Sequence, residues 1–141
     1  MQRRKFIKYS CALCAGTTLL STILESCTGP KNLYKAESSN NEIVVPLSSF
    51  GEHNYVLVRS DKLSNDIFVS RKSENNYHAF LMKCTHRDSP LQYTSGGLVC
   101  NEHGSRFNFD GEVIQPPAIN SLTIIPVKLT GQSLTIKINN L

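Results

Sequence analysis

Four side chains in the second half of the sequence can bind metal, and they come in two similar pairs. Cys84-Thr85-His86 forms a Cys-x-His unit, and thirteen residues later Cys100-Asn101-Glu102-His103 forms a Cys-x-x-His unit. Each pair supplies one soft thiolate and one imidazole. Two chemistries use that donor set. A single tetrahedral zinc accepts two Cys and two His. A binuclear iron–sulfur cluster divides the same donors, two Cys on one iron and two His on the other. Finger-type zinc sites keep like with like, in C-x₂₋₄-C and H-x₃₋₅-H pairs. Here each segment mixes the two types, which favours the cluster and leaves zinc as the alternative. A disulfide between Cys84 and Cys100 is a third reading. The histidine at a short offset from each cysteine makes ligation the better one.

The pairs need elements that bring them together. Residues i and i+2 of a strand point to one side, so a bend at Thr85 must let sulfur and nitrogen address different irons. Ser95-Gly96-Gly97 lies between the pairs and offers a tight turn that returns the second beside the first. Gly104, directly after His103, allows close backbone approach to a bound group.

The rest of the body reads as strands. From Glu42, short runs rich in β-branched and aromatic residues alternate with polar turn segments. Strands are expected at Glu42–Leu47, Asn54–Arg59, Asp66–Ser70, Tyr77–Lys83, Arg106–Phe109, Glu112–Ile114, Leu122–Leu129 and Ser133–Ile138. Thr130-Gly131-Gln132 should join the last two. No stretch of the body sustains a helical period. The expected fold is all-β, a small antiparallel sandwich, because short strands bury apolar faces only by packing sheet on sheet. Tyr77, Phe80 and Leu81 are expected in its core; His53 and His78 are expected to be surface or packing residues.

The net charge of +4 comes mostly from the extreme N-terminus, where Arg3, Arg4, Lys5 and Lys8 lie. From Cys27 onward, 11 Lys and Arg face 10 Asp and Glu, which leaves +1 and no basic stripe for nucleic acid. The start resembles a twin-arginine export signal: Arg3-Arg4-Lys5-Phe6-Ile7-Lys8, then a mainly apolar run from Tyr9 to Leu24. That run is shorter than the ~20 residues of a spanning helix. Cys11-x-x-Cys14 lies within it, outside any βαβ context, and is set aside as a redox motif. Leu24-Glu25-Ser26-Cys27 resembles a bacterial lipoprotein cleavage box, with Glu25 in place of a small or apolar residue. The implied organisation is an export signal over 1–27 with Cys27 as the lipidated residue, a flexible tether over 28–41, and one domain over 42–141. The domain is then expected on the periplasmic side of the inner membrane, held there by the lipid or by a retained N-terminal segment.

Cys84-Thr85-His86 and Cys100-x-x-His103-Gly104-Ser105-x-Phe107, with Asp110-Gly111 and Pro116-Pro117-Ala118 beyond them, resemble the binding loops and proline loop of the Rieske [2Fe–2S] family. The resemblance implies a β-sandwich with the cluster loops at one tip. It implies Cys84 and Cys100 on the inner iron and His86 and His103 on the outer. Ser105 stands where a serine donates toward a bridging sulfide, and Phe107 where a tyrosine would donate toward a cysteine sulfur. Rieske subunits of cytochrome bc complexes also carry two bridging cysteines, whose positions here are Ser89 and Glu102. The loops must therefore be held by packing and hydrogen bonds, as in the Rieske ferredoxins. Arg87 and Asp88 follow the first histidine, where quinol-oxidising members carry an apolar residue. The implied function is one-electron transfer to a redox partner, a cytochrome or an oxidoreductase subunit, and the chain is not expected to be an enzyme by itself. The alternative is the Rieske subunit of a periplasmic complex, such as a quinol–cytochrome c reductase or an arsenite-oxidase-like enzyme.

Overall fold

The computed structural model describes residues 32–139. The expected export signal, Cys27 and the start of the expected tether lie outside these residues.

Thirteen strands follow one another: β1 (Leu33–Lys35), β2 (Ser38–Ser39), β3 (Glu42–Pro46), β4 (Tyr55–Arg59), β5 (Ile67–Ser73), β6 (Asn76–Leu81), β7 (Leu91–Thr94), β8 (Gly97–Cys100), β9 (Arg106–Phe107), β10 (Val113–Gln115), β11 (Ile124–Ile125), β12 (Val127–Thr130) and β13 (Ser133–Lys137). One 3₁₀ turn, Leu47–Phe50, separates β3 from β4. They build three sheets, with strand orders β1-β4-β5-β6-β11, β10-β9-β8-β7 and β12-β13-β3-β2. All pairings are antiparallel except β1 with β4. The all-β sandwich expected from the sequence is the fold. Among the described residues, no helix is long and apolar enough to cross a membrane.

The burial pattern explains why these sequences form these sheets. In β3, Ile43 and Val45 are buried while Val44 between them is exposed. That alternation marks a sheet with one wet face. In β4, Val56, Leu57 and Val58 are all buried, and in β5 the run Ile67 to Ser70 is too. Consecutive burial means that the β4–β5–β6 sheet is covered on both sides. One face, carrying Val56, Val58, Ile67 and Val69, packs with Ile43, Val45, Leu134 and Ile136. The other face, carrying Leu57, Phe68 and Phe80, packs with Leu98, Phe107, Cys84 and Cys100. The hydrophobic core of the domain is therefore also the floor beneath the two Cys/His pairs. Phe80 is fully buried; Tyr77 and Leu81 pack at the margin of the first core.

Aromatic rings join the two halves at the second core. Tyr55 stacks on Tyr93 at 4.2 Å between centroids, and Phe68 and Phe109 flank the pair at 5.6–6.1 Å. Burial, together with the Tyr93 hydroxyl, pushes the Tyr55 phenol up to about 12, so it stays neutral at ordinary pH. His53 lies against this stack, 5.5 Å from the Tyr55 ring, and His78 sits beside Asp110.

Two sequence expectations change. The tether read over 28–41 is partly strand. Leu57 N–H donates to the Asn32 carbonyl and Ala36 N–H to the Arg59 carbonyl, both at 2.8 Å, and Leu33 and Tyr34 pack on opposite cores. A two-residue apolar pair is enough here because β4 offers an open edge. The expected strand Leu122–Leu129 divides at Pro126: Ile124–Ile125 pairs with β6, and Val127–Thr130 with β13 in another sheet. Proline has no N–H for a ladder, so the chain changes sheets there. The turn expected at Ser95-Gly96-Gly97 forms, closing a hairpin with Leu91 opposite Cys100 and Thr94 opposite Gly97.

Gly97 fixes how that hairpin packs. Its φ is +129°, and a Cβ there would lie 2.3 Å from the Phe107 carbonyl oxygen. Gly96 has no such φ and would meet only the end of Arg106. Gly97→Ala is expected to cost about 3 kcal/mol or more, and Gly96→Ala at most about 1 kcal/mol. Urea midpoints of the two variants against the parent provide the check.

Candidate metal centre

Both ligand loops close on themselves in the same way. In the first, Cys84 N–H donates to the Ser89 carbonyl and Asp88 N–H donates to the Cys84 carbonyl, both at 2.8 Å. In the second, Cys100 N–H donates to the Ser105 carbonyl and Gly104 N–H to the Cys100 carbonyl, both at 2.9 Å. The residue four beyond each cysteine takes a left-handed backbone, Asp88 at φ 58° and Gly104 at φ 81°. Glycine does so freely, and aspartate is among the few side chains that tolerate it. Asp88 is also held by Lys83, whose Nζ lies 3.3 Å from Oδ1.

This geometry separates the donors by depth. Cys84 and Cys100 sit where strands end and are 1% and 0% exposed. Their thiols are unbridged. The histidines lie on the outer curve of each loop, His86 half-buried and His103 exposed. Their rings stand perpendicular at 85°, with centroids 4.9 Å apart. His86 Nδ1 is buried and has no hydrogen-bond partner. A buried, unpartnered ring nitrogen is costly, and a metal bond would satisfy it. A binuclear cluster divides its donors into a sulfur pair and a nitrogen pair, and the buried thiols and outer imidazoles are divided in that way. The donor set fits the cluster.

A third segment, from Gln115 to Asn120, ties both loops down. Gln115 Nε2 donates to the Gly104 carbonyl at 2.8 Å, and Ala118 N–H to Ser105 Oγ at 3.0 Å. Thr85 Oγ1 donates to the Asn120 carbonyl at 2.6 Å. A bond also runs directly between the loops, from Ser89 Oγ to Glu102 Oε2 at 2.5 Å. Ser105 is fully buried, and by accepting from Ala118 it keeps its hydroxyl proton free for another acceptor. Phe107 is fully buried in the same core as both cysteines.

The structure thus brings Cys84, His86, Cys100, His103 and Ser105 to one end of the domain. Sequence reading missed Gln115 and the bonding roles of Thr85 and Glu102. Their side chains act at positions 11 to 35 residues away, and nothing in the local sequence signals such partners. The turn at Pro116-Pro117-Ala118 was the one sign that this segment belongs to the site.

Among known proteins, the Rieske [2Fe–2S] domain model matches residues 42–126. No curated protein matches the sequence. Solved structures do match. The ferredoxin–oxygenase complex of carbazole 1,9a-dioxygenase gives a TM-score of 0.51 at 17% identity, over 70% of this chain and 94% of that one. Naphthalene 1,2-dioxygenase gives 0.55 at 21% identity, over 70% of this chain but only 26% of the other. The plasma-membrane Rieske protein PetC3 of Synechocystis PCC 6803 gives 0.49 at 23% identity, over 60% and 86%. This chain spans about a quarter of the naphthalene dioxygenase chain, so the likeness concerns a fold and not that enzyme's activity. With the mixed donor pairs at one end of a β-sandwich and the family model covering most of the domain, the chain belongs to the Rieske [2Fe–2S] family, which carries a [2Fe–2S] cluster and serves electron transfer.

Proposed function

We propose that the protein is a one-electron carrier that exchanges electrons through its histidine-bearing tip, and that it is exported and tethered to a membrane. The observation that carries this reading is the depth order of the donors: buried thiols, outward imidazoles. In the proposed assignment Cys84 and Cys100 hold the inner iron, and His86 and His103 the outer. A Rieske cluster supplies a single-electron couple whose potential rises with low net charge and with donors to its sulfurs. The chain's part is to hold the thiolates in an apolar floor and to leave the imidazole side open to a partner.

Two residues set where the potential falls. Ser105 has a hydroxyl proton to offer, and the Ala118 N–H fixes its oxygen. Phe107 has none, though it shares the cysteines' core. One donor of two supports an intermediate potential, below that of quinol-oxidising members. The tip favours a protein partner over a quinone. Arg87, Asp88 and Glu102 are exposed around it, and so is Ile119, which is 87% exposed between the two residues that bond Ser105 and Thr85. An exposed apolar side chain amid charges suits a protein surface with an apolar core and a polar rim.

Phe107→Tyr is expected to raise the midpoint potential by roughly 20–60 mV, the equivalent of one added hydrogen bond of about 0.5–1.5 kcal/mol for one electron. A spectroscopic redox titration reads it; an unchanged potential means that the new hydroxyl does not reach a cluster atom.

The tether reading rests on the sequence around Cys27. Cys27→Ala is expected to move the protein from the membrane fraction to the soluble periplasmic fraction. Continued membrane attachment would point to a retained N-terminal anchor.

A further inference from the structure

The two ligand loops are copies of one local structure, and each contains a serine five residues after its cysteine: Ser89 and Ser105. Both serines close their own loop by accepting the cysteine N–H at the main-chain carbonyl. Both also reach outside the loop with the hydroxyl. Ser105 takes a bond from the proline loop. Ser89 gives one to Glu102, the residue directly before the ligand His103. Among the described residues this is the one side-chain hydrogen bond that joins loop 84–89 to loop 100–105.

We propose that Ser89 and Glu102 form a polar clasp that sets the spacing of the two ligand loops and so positions His86 and His103; this rests on the loops being the cluster-binding loops. Several features separate the pair from an incidental surface contact. Ser89 is only 6% exposed, so its hydroxyl needs a partner. The acceptor is a carboxylate, which makes the stronger class of hydrogen bond. Its two ends belong to opposite halves of the site, thirteen residues apart. The closures at Cys84 and Cys100 shape each loop alone and do not fix one against the other. The Leu91–Cys100 pairing joins the strands below, and the proline loop, a third segment, bonds to each loop. Glu102 and Ser89 supply the direct side-chain tie between the two loops. Both are positioning residues, acting through the loops that carry His86 and His103.

The test uses purified full-length protein with its cluster. First-order loss of the visible absorbance is followed in excess chelator for the parent, Ser89→Ala, Glu102→Ala, Glu102→Gln and the Ser89→Ala/Glu102→Ala double variant. The potential of each is measured alongside. Ser89→Ala and Glu102→Ala should each release the cluster about tenfold faster. The double variant should be no faster than either, because both remove the same bond. Glu102→Gln, whose amide oxygen still accepts from the serine, should stay within about twofold of the parent while sharing the potential shift of Glu102→Ala. That pattern separates the bond from the charge. Parent-like release from Ser89→Ala, or additive effects in the double variant, would overturn the clasp. Amide hydrogen exchange gives a readout that does not need the cluster: Ser89→Ala should speed exchange at Cys100 and Gly104 in the opposite loop, and unchanged exchange there would also overturn it. Protein that holds no iron or labile sulfide would defeat the functional reading, and the exchange experiment would still decide the clasp.

Discussion

Each ligand loop hangs on one cysteine whose main chain is bonded twice, its N–H to the carbonyl five residues on and its carbonyl to the N–H four residues on. The rest of the site follows from that closure. It turns the chain back within a few residues, so that the thiol stays at the strand end, facing the core, while the histidine rides on the outer curve. It demands a left-handed residue at the fourth position, which Asp88 and Gly104 supply. Because both loops close identically, two sulfurs come to lie below and two imidazoles above, although the histidine offsets differ by one residue.

The floor beneath the loops explains the three-sheet architecture. A sandwich of two sheets would bury one face of the β4–β5–β6 sheet and leave the other wet. Here the second face carries Leu57, Phe68 and Phe80 and is covered by the sheet that bears Cys100 and Phe107. The thiols are thus held in an apolar environment continuous with the core, and the stacked Tyr55–Tyr93 pair links the covering sheet to the base. Gly111 has the same role at the other end of the covering layer, where a Cβ would meet the Phe80 ring at 2.7 Å. Stability of the fold and shape of the site depend on the same contacts.

The four candidate ligands were legible because metal chemistry restricts which residues can serve and local backbone geometry restricts their spacing. The sheets were legible wherever one strand face is wet, as in β3, or wherever an apolar run is uninterrupted, as in β4. The strands β7 and β8 were hidden because each has only four residues and their turn glycines dominate the stretch. Leu33 and Tyr34 were hidden because two apolar residues among polar ones carry no period; only the open edge of β4 makes them a strand. The bonds that fix the crown, from Ser89, Thr85 and Gln115, could not be read at all. A hydroxyl or amide finds its partner through the fold, and the residue types involved are the common ones of any surface loop.

In the proposed site two thiolates and two imidazoles share one binuclear cluster. Metal and labile-sulfide analysis of the purified protein, combined with pulsed paramagnetic resonance of its reduced form, decides this. Two irons and two sulfides per chain are expected, as a [2Fe–2S] cluster requires, with two imidazole nitrogens coupled to the reduced iron and one such coupling lost in His86→Cys. Zinc in place of iron, or a reduced spectrum without nitrogen coupling, would contradict it.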